Sequence, residues 1–180
     1  MAPKHHIEPL FSEQQILARI DELAKQIAHD YADQELVLIG VLHGGATILT
    51  DLGRALWKAG MTNVYKDYIG ISSYESGTES TGIINMSKEL KNSVKGRAVL
   101  IVEDIVDTGR SLQAAITTIS AQSPAKLATF AILSKPSRRE IEVQLDYVGF
   151  EIPNTFVVGY DLDYDEMYRT MPGIGQVIFD

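Results

Sequence analysis

Apolar residues recur every three or four positions in three stretches of the chain, which is the spacing of amphipathic helices. The first stretch begins after Ser12, and Gln15 stands three residues later, as in a helix-capping box. Its apolar face consists of Ile16, Ile20, Leu23 and Ile27. The face of the second consists of Ile48, Leu49, Leu52 and Leu56, and that of the third of Leu112, Ile116 and Ile119. The sequence predicts three helices, of which the second ends near Gly60 and the third before Ser123-Pro124.

Three further stretches are apolar at nearly every position, without the alternation of a half-exposed strand. They comprise residues 36–42, 98–102 and 127–133. Such runs are typical of parallel strands that are covered on both faces. Since strands and helices alternate along the chain, we predict an α/β fold with a mostly parallel central sheet flanked by helices. Ligands of such sheets bind beyond the carboxyl ends of the strands.

Two regions do not follow this alternation. Residues 72–82, Ser-Ser-Tyr-Glu-Ser-Gly-Thr-Glu-Ser-Thr-Gly, are polar, and loops of this length in a compact domain are usually lids or disordered. After Asp146 the chain contains short apolar pieces at residues 147–150, 156–158 and 176–179. We expect these pieces to be short strands of a small subdomain that lies over the sheet.

The composition is that of an ordinary globular domain, with 45% hydrophobic residues, 22% charged residues and no cysteine. The length of 180 residues fits a single domain that spans the whole chain. The absence of cysteine excludes disulfides, thiolate metal sites and a thiol nucleophile. The first residues lack the apolar stretch of a signal peptide, and no apolar run approaches the roughly 18 residues of a membrane span. We therefore expect a cytoplasmic protein.

The chain has 16 basic residues against 24 acidic ones, which gives a formal net charge of −8. This excess argues against nucleic acids and anionic membranes as partners, because such polyanions are bound by clustered lysine and arginine. For a phosphate ligand the same charge is unfavourable unless backbone N–H groups or a metal ion bind it.

Candidate chemistry is concentrated where the apolar run at residues 98–102 ends. Glu103 and Asp104 follow the run directly, and Asp107 comes three residues later. Buried carboxylates must be met by cations, hydroxyl donors or water, because their desolvation is costly. Adjacent carboxylates can accept hydrogen bonds from the hydroxyl pair of a ribose, or approach a hydrated Mg²⁺ ion. The alternative is a solvated acidic turn, which is the more common state of a generic acidic loop.

Residues 107–111, Asp-Thr-Gly-Arg-Ser, form a small glycine-containing turn at the start of the third predicted helix. Free backbone N–H groups and the helix dipole favour an anion there, and Thr108 and Ser111 add hydroxyl donors. Diol acceptors a few residues from a phosphate cradle describe a pocket for a ribose 5-phosphate. The alternative is that Asp107 or Thr108 only caps the helix. A P-loop is excluded, because no G-x-x-x-x-G-K-[ST] sequence occurs.

These residues resemble a known family. Residues 99–109, Val-Leu-Ile-Val-Glu-Asp-Ile-Val-Asp-Thr-Gly, are similar to the phosphoribosyl-pyrophosphate motif of the type I phosphoribosyltransferases. The match is closer still to the hypoxanthine-guanine branch of that family. Further matching segments follow in family order: Ser72-Ser73-Tyr74, Lys135, residues 146–153, residues 156–164 and Arg169. The resemblance covers nearly the whole chain from about Val37.

The resemblance implies the type I phosphoribosyltransferase fold, with a core at about residues 36–145 and a small hood from the N-terminal segment and about residues 146–180. It implies a Mg²⁺-dependent enzyme of purine salvage that transfers the 5-phosphoribosyl group from 5-phosphoribosyl 1-pyrophosphate to hypoxanthine or guanine. The products are IMP or GMP and pyrophosphate. A xanthine-preferring enzyme is the alternative within the family, and a nucleotide-sensing, RNA-binding regulator is the less favoured alternative. Relatives that resemble this chain form homodimers or homotetramers.

The resemblance also implies roles for individual residues. Glu103 and Asp104 would meet the ribose hydroxyls and Mg²⁺, and Asp163 would bind a second Mg²⁺ beside the purine. The 5-phosphate would lie on Asp107, Thr108, Gly109, Arg110 and Ser111. Asp107 would face N7 of the purine as the general acid/base. The Lys135 ammonium would donate to the 6-oxo group and reject the exocyclic amine of adenine.

For the rest of the ligand, the family implies four groups of contacts. The purine ring would stack on Phe156, and the Val157 backbone would meet the 2-position edge. Ser73 and Tyr74 would belong to a lid that meets the pyrophosphate and excludes water, which competes with the purine for the sugar cation. The pyrophosphate would also be bound by Leu42, His43, Gly44 and Arg169.

One departure from the family concerns the pyrophosphate turn, which usually reads Leu-Lys-Gly and often contains a non-proline cis peptide. Here the turn reads Leu42-His43-Gly44. The backbone at Gly44 and Gly45 can still approach an anion. Histidine is mostly neutral at pH 7, so a charge that the family usually keeps is absent here or depends on pH.

Overall fold

The computed structural model describes residues 4–73 and 84–179. The elements follow in the order β1 (His5–Phe11), α1 (Glu13–Asp30), β2 (Leu36–Leu42), α2 (Gly45–Lys58), β3 (Val64–Ser73), β4 (Ile84–Lys88), β5 (Ala98–Val106), α3 (Arg110–Ser120), β6 (Lys126–Ser134), β7 (Tyr147–Glu151), β8 (Val157–Val158) and β9 (Ile174–Phe179). A short 3-10 turn at Pro136–Arg138 follows β6. None of the helices in these two ranges is long and apolar enough to cross a membrane.

Six strands form the central sheet, in the order β4-β3-β2-β5-β6-β7. Neighbouring strands run parallel, except that β4 is antiparallel to β3. The strand β2 is buried at nearly every position, as expected of a strand covered on both faces. Helices α1 and α2 contribute to the buried cluster on one face, and α3 contributes to the cluster on the other. The predicted α/β fold with a mostly parallel, helix-flanked sheet is therefore confirmed.

All three predicted helices are present, and two of them begin at turns of the predicted site. Ser12 caps α1 in the predicted capping box, in which the Ser12 N–H donates to Gln15 Oε1 at 2.9 Å. The residues predicted for the apolar face of α1 are buried: Ile16, Ile20, Leu23 and Ile27. Helix α2 begins at Gly45, directly after the turn at residues 42–44, and α3 begins at Arg110. Both helices thus begin near the carboxyl ends of β2 and β5, where the N-terminus of a helix favours an anion.

The strand β5 is longer than the hydrophobic pattern predicts. It runs from Ala98 to Val106, so Glu103 and Asp104 lie within the strand rather than after it. Its pairing with β6 continues to the end, where Val106 lies opposite Ser134. The apolar run stops at the acidic pair, but the backbone hydrogen bonds to β6 continue beyond it. The hydrophobic pattern therefore predicts a strand that is too short.

The polar stretch at residues 72–82 begins inside β3. Ser72 and Ser73 pair with Asn85 and Ile84 of β4, an edge strand that the sequence does not predict. The remainder of the predicted lid, including Tyr74, lies outside the described residues.

A second sheet, which we call the hood sheet, contains β1, β9 and β8 in that order. It joins the N-terminal segment to the apolar pieces at residues 156–158 and 176–179, as predicted. The piece at residues 147–150 does not belong to it, because it is part of β7, which pairs with β6 at the edge of the central sheet. The expectation that this piece lies in a subdomain over the sheet is therefore wrong. Pairing with β6 provides partners for backbone groups that would otherwise form an open sheet edge. The bounds predicted for the core and the hood stay a prediction.

Candidate active site

Two adjoining clefts open at the carboxyl ends of the central strands. The first has a volume of about 290 Å³, and its lining includes Leu42, His43, Gly44, Glu103, Asp104, Asp107, Thr108, Gly109 and Ser111. The second has a volume of about 380 Å³, and its lining includes Lys135, Phe156, Val157, Asp163 and Arg169. The two clefts share His43, Gly44, Asp104, Ile105 and Asp107. The fold thus brings most of the predicted site residues around two adjoining spaces.

The turn at residues 107–111 connects β5 to α3 and is shaped by Gly109. This glycine has a left-handed φ of 88° directly before the first residue of α3. A Cβ at this position would lie 2.5 Å from the Ile141 carbonyl oxygen, so both the backbone conformation and the space require glycine. Thr108 and Ser111 line the first cleft beside the start of α3. The turn therefore offers the backbone and hydroxyl donors that an anion needs.

A segment to which the sequence assigns no role holds this turn in place. The Arg139 guanidinium donates to the carbonyl oxygens of Val106 and Asp107, each at 2.6 Å. The backbone N–H groups of residues 140–141 both donate to the Thr108 carbonyl oxygen at 3.0 Å. These contacts satisfy three consecutive carbonyl groups and fix the backbone of the turn. In the sequence, this segment is marked only by a pair of arginines after Lys135-Pro136-Ser137, and their spacing does not predict the contact with the turn.

The Asp107 carboxylate lies between two cationic side chains. Its Oδ2 is 3.2 Å from Lys135 Nζ, and its Oδ1 is 3.2 Å from Arg138 Nε. Lys135 is buried, with 6% of its surface exposed, and buried lysines are usually paired. The Asp107 side chain keeps 37% of its surface exposed, so a ligand in either cleft can reach it.

Glu103, which is buried, and Asp104, which is half-buried, form an acidic pair. Burial, together with the neighbouring Asp104 charge, raises the pKa of Glu103 well above its usual range. Burial also raises the pKa of Asp104 to about 6, and the Asp161 charge acts in the same direction. The Ile105 N–H and the Arg169 guanidinium lower it. Two carboxylates in this environment favour a ligand that brings hydroxyl donors or a cation.

The acidic pair fits a magnesium ion that binds together with a substrate. Mg²⁺ takes oxygen ligands, keeps several waters and is commonly held by one or two carboxylates plus substrate phosphates. Within residues 4–73 and 84–179, no group of three or more histidine, cysteine or acidic residues could hold a metal ion. Asp163, predicted for a second ion, is paired within its own segment: its Oδ1 is 2.8 Å from Arg169 Nη2, and its Oδ2 accepts from the Glu166 N–H at 3.0 Å.

The turn after β2 contains a cis peptide bond between Leu42 and His43. His43 is exposed and lines both clefts. A Cβ on Gly44 would collide with the Asp104 carboxylate. The backbone of the turn at residues 42–44 therefore lies directly against the acidic pair, at the start of α2.

Arg169 is oriented by oxygen atoms of its own segment. Besides its contact with Asp163, its Nη1 donates to the Asp161 carbonyl oxygen at 2.7 Å. Its Nε lies 3.4 Å from Glu166 Oε2. A guanidinium whose direction is fixed in this way is suited to bidentate contact with phosphate oxygens. Without the family resemblance, the acidic run at residues 161–166 would be assigned to a solvated surface.

Phe156 lies beside the second cleft and is 45% exposed. Its ring centroid is 5.5 Å from that of Tyr164 and 6.4 Å from that of Phe179, both in edge-to-face arrangements. Val157, the next residue, pairs with Gln176 in the hood sheet. An aromatic side chain that is held by neighbouring rings and exposed to a cleft is suited to stack on a planar base.

One of the remaining predicted residues, Arg110, does not contribute a side chain to the two clefts. The Arg110 guanidinium pairs with Glu140, with Nη2 2.7 Å from Oε2, and lies away from the lining of both clefts. Ser73 ends β3, and Tyr74 lies outside the described residues. The lid therefore stays a prediction.

Comparison with known proteins agrees with this arrangement. The family model of the phosphoribosyl transferase domain matches residues 6–165. The chain is 41% identical over 177 residues to the hypoxanthine phosphoribosyltransferase of Escherichia coli strain K12, covering 97% of each. It is 39% identical over 171 residues to the hypoxanthine-guanine phosphoribosyltransferase of Dictyostelium discoideum, covering 94% of each. The hypoxanthine phosphoribosyl transferase structure of Trypanosoma cruzi is similar, with a TM-score of 0.89 and 40% identity over 95% of this chain and 91% of that one. Since sequence and fold agree along nearly the whole length, this chain belongs to the phosphoribosyltransferase family.

Proposed function

We propose that this chain is a Mg²⁺-dependent hypoxanthine (guanine) phosphoribosyltransferase of purine salvage. It transfers the 5-phosphoribosyl group of 5-phosphoribosyl 1-pyrophosphate, hereafter the donor, to hypoxanthine or guanine, and it releases IMP or GMP and pyrophosphate. The observation that carries the proposal is the arrangement of the turn at residues 107–111, the Asp107–Lys135 pair and Arg169 around two adjoining clefts. Relatives whose names state these activities match nearly the whole chain.

The donor has three parts, and a different feature of the clefts suits each part. The N-terminus of α3 and the turn at residues 107–111 bind the 5-phosphate. The acidic pair Glu103–Asp104 accepts hydrogen bonds from the ribose hydroxyls. The turn at residues 42–44 and Arg169 bind the pyrophosphate. When bound, Mg²⁺ offsets the charge of the pyrophosphate and makes it a better leaving group.

In the transfer, N9 of the purine forms a bond to C1′ of the ribose while the bond from C1′ to the pyrophosphate oxygen breaks. The proton on N7 of the base must then leave. We assign the acceptance of this proton to Asp107, and its position in the lining of both clefts supports the assignment. Lys135 and Arg138, each 3.2 Å from one of its oxygens, hold it in position.

The base is recognised by what its edges offer. Lys135 donates to the 6-oxo group, whereas adenine presents an amine donor there and leaves the ammonium unpaired. Phe156 stacks on the ring, and the backbone of Val157 meets the 2-position. A backbone contact discriminates weakly at that position, so hypoxanthine, guanine and xanthine should differ little in binding free energy. A preference for xanthine is therefore the alternative.

The proposal includes a homodimer or homotetramer in the cytoplasm, with no nucleic acid or membrane as a partner. The Trypanosoma cruzi structure concerns the role of that enzyme's C-terminal region in its oligomeric state. The net charge of −8 disfavours polyanionic partners. Light scattering of the purified chain measures the assembly directly, and a monomeric mass would contradict this part of the proposal.

A panel of bases tests the activity. Nucleotide formation from the donor is followed with hypoxanthine, guanine, xanthine and adenine, with Mg²⁺ and with a chelator. We expect turnover of hypoxanthine or guanine, little with adenine, and loss of turnover in chelator. Faster turnover of xanthine would favour the alternative, and no turnover of any base would favour the non-catalytic regulator.

A further inference from the structure

Asp161 connects the segment that carries Arg169 to the helix that follows the pyrophosphate turn. Its Oδ2 accepts a hydrogen bond from the Thr47 N–H at 2.8 Å, across 114 positions of sequence. Thr47 lies in the first turn of α2, where Gly44 provides no side-chain cap and no acidic residue is present. A carboxylate is the group that a helix N-terminus favours. Asp161 therefore supplies from a distant part of the chain the cap that α2 lacks locally.

The same residue also holds Arg169. The Asp161 N–H donates to the Arg169 carbonyl oxygen at 3.0 Å, and Arg169 Nη1 donates to the Asp161 carbonyl oxygen at 2.7 Å. Both the backbone and the guanidinium of Arg169 are thus bonded to Asp161, whose side chain is bonded to α2. A displacement of Asp161 would therefore move Arg169 relative to the turn at residues 42–44.

The backbone conformation does not by itself explain an aspartate at this position. Asp161 has a φ of 75°, in the left-handed region. Aspartate tolerates this region better than most residues, but glycine adopts it without a Cβ penalty. The contact with Thr47 gives the carboxylate a use that glycine could not provide.

We propose that Asp161 is a positioning residue for the donor, which sets the placement of Arg169 against the pyrophosphate turn by linking the arginine to the first turn of α2. This proposal rests on the proposed function and adds a residue that need not touch the reacting atoms. It concerns the pyrophosphate end of the donor and leaves recognition of the base unaffected.

Tyr160 provides a matched control, because it makes a second link between the same two segments. Its hydroxyl donates to Asp51 Oδ2 of α2 at 2.6 Å, and its side chain is buried. Tyr160→Phe removes this hydrogen bond and leaves the contacts of Asp161 in place. If the link only docked the segment on α2, Tyr160→Phe and a change at Asp161 would have the same kinetic effect.

Three variants separate positioning from a general structural role. Asp161→Gly keeps the left-handed backbone and removes the carboxylate, Asp161→Asn keeps an oxygen acceptor for Thr47, and Tyr160→Phe is the control. For each, we would measure kcat, the KM values for the donor and hypoxanthine, the Tm, and the Kd of pyrophosphate with Mg²⁺ by calorimetry. For Asp161→Gly we expect the KM for the donor and the Kd of pyrophosphate to rise about five- to twentyfold. We expect the KM for hypoxanthine to stay near the wild-type value, Asp161→Asn to restore most of the donor affinity, and Tyr160→Phe to lower only the Tm.

An unchanged donor KM and pyrophosphate Kd in Asp161→Gly, or an equal rise in Tyr160→Phe, would overturn the proposal. If Asp161→Gly does not fold, Asp161→Ser, whose side chain is too short to replace the carboxylate, is held to the same criterion. If the wild-type chain forms no nucleotide, the proposed function fails, and the pyrophosphate Kd values alone then decide the role of Asp161.

Discussion

The two ends of the proposed donor site are built in different ways. The ribose-phosphate end consists of consecutive residues, 103–111, at the end of β5 and the start of α3. The pyrophosphate end combines the turn at residues 42–44 with Arg169, and the bond from Thr47 to Asp161 joins these segments across 114 positions. The consecutive segment is held by its own backbone together with the contacts that Arg139 and residues 140–141 make with its carbonyl groups. The assembled end has no such continuous segment, so the relative position of its parts depends on tertiary contacts alone.

This difference separates chemistry from affinity. The consecutive segment carries Asp107, which would move the proton, whereas the assembled end carries groups that would only bind the leaving pyrophosphate. We therefore expect a change at Asp107 to lower kcat and changes at the pyrophosphate end to raise the KM for the donor. The following substitutions, from the largest expected effect to the smallest, would break or sharpen this separation.

Asp107→Asn should have the largest effect. The amide has the same size but cannot accept the proton from N7, so we expect kcat to fall by about 10²–10⁴-fold while the KM for the donor changes little. Steady-state kinetics with hypoxanthine measures both values. Glu35→Gln is a suitable control. Glu35 pairs with Arg97 directly before β2, and the turn at residues 42–44 lies at the other end of that strand. A kcat for Asp107→Asn near that of the control would remove Asp107 from the chemistry.

Gly44→Ala should disrupt the pyrophosphate end. Its Cβ would collide with the Asp104 carboxylate, so either the turn or the acidic pair must move. A displacement of about 1 Å in an active site can cost about 10²-fold, and we expect a fall of this order in kcat/KM for the donor. Gly53→Ala on α2 is the control, because its Cβ would meet no atom nearer than 3.4 Å, at Lys66 Cδ. Equal kinetics for the two variants would contradict the close contact.

Asp104→Asn should stabilise the metal-free protein in a pH-dependent way. Burial raises the pKa of Asp104 from 3.8 to about 6, so the folded state holds this proton more tightly than the unfolded state. The cost of the buried charge is therefore absent below about pH 4, develops between pH 4 and 6, and reaches about 3 kcal/mol above pH 6. Urea unfolding in chelator should show the variant to be more stable than the wild type by about this amount at pH 7 and nearly equal to it at pH 4. A stability difference between variant and wild type that does not change with pH would contradict the raised pKa of Asp104 as its cause.

His43→Lys should have the smallest effect, because the side chain is exposed. A permanent charge at the pyrophosphate end should lower the KM for the donor roughly two- to fivefold at pH 8, as expected for an exposed ion pair. His29→Lys, also exposed and at the end of α1, should leave the KM unchanged. If His43→Lys has no effect between pH 6 and 8, the side chain of His43 has no role.

The same contrast explains how much of the fold could be predicted from the sequence. Periodic apolar residues predict the three helices and the buried central strands, because burial of one face or of both faces leaves a local pattern. Strand β4 and the end of β5 leave no such pattern, since backbone pairing continues there through polar residues. The piece at residues 147–150 is predicted as a strand, but its pattern does not show that it pairs with β6 in the central sheet.

The candidate site divides in the same way. The acidic pair and the turn at residues 107–111 are predictable because they are consecutive and directly follow an apolar run. Lys135 and Arg169 were found through the family resemblance, since a single lysine or arginine has no informative spacing. Neither the local sequence pattern nor the family resemblance predicts a role for Arg139 or Asp161, because these residues act through contacts with backbone groups that are distant in sequence.

The net charge also has a different meaning once the site is described. In the part of the chain that the structure describes, four acidic residues line the two clefts: Glu103, Asp104, Asp107 and Asp163. In the proposed function, a metal ion, backbone N–H groups and Arg169 offset the repulsion between these carboxylates and the phosphates of the donor. The acidic balance therefore argues against polyanionic partners but is compatible with a small phosphate ligand that binds with Mg²⁺.

The stoichiometry of the products tests the central claim most directly. The wild-type chain is incubated with hypoxanthine, the donor and Mg²⁺, and both IMP and pyrophosphate are measured as they form. Group transfer predicts that the two appear at equal rates and that neither appears when hypoxanthine is omitted. Release of pyrophosphate without IMP, or formation of neither product, would contradict the account.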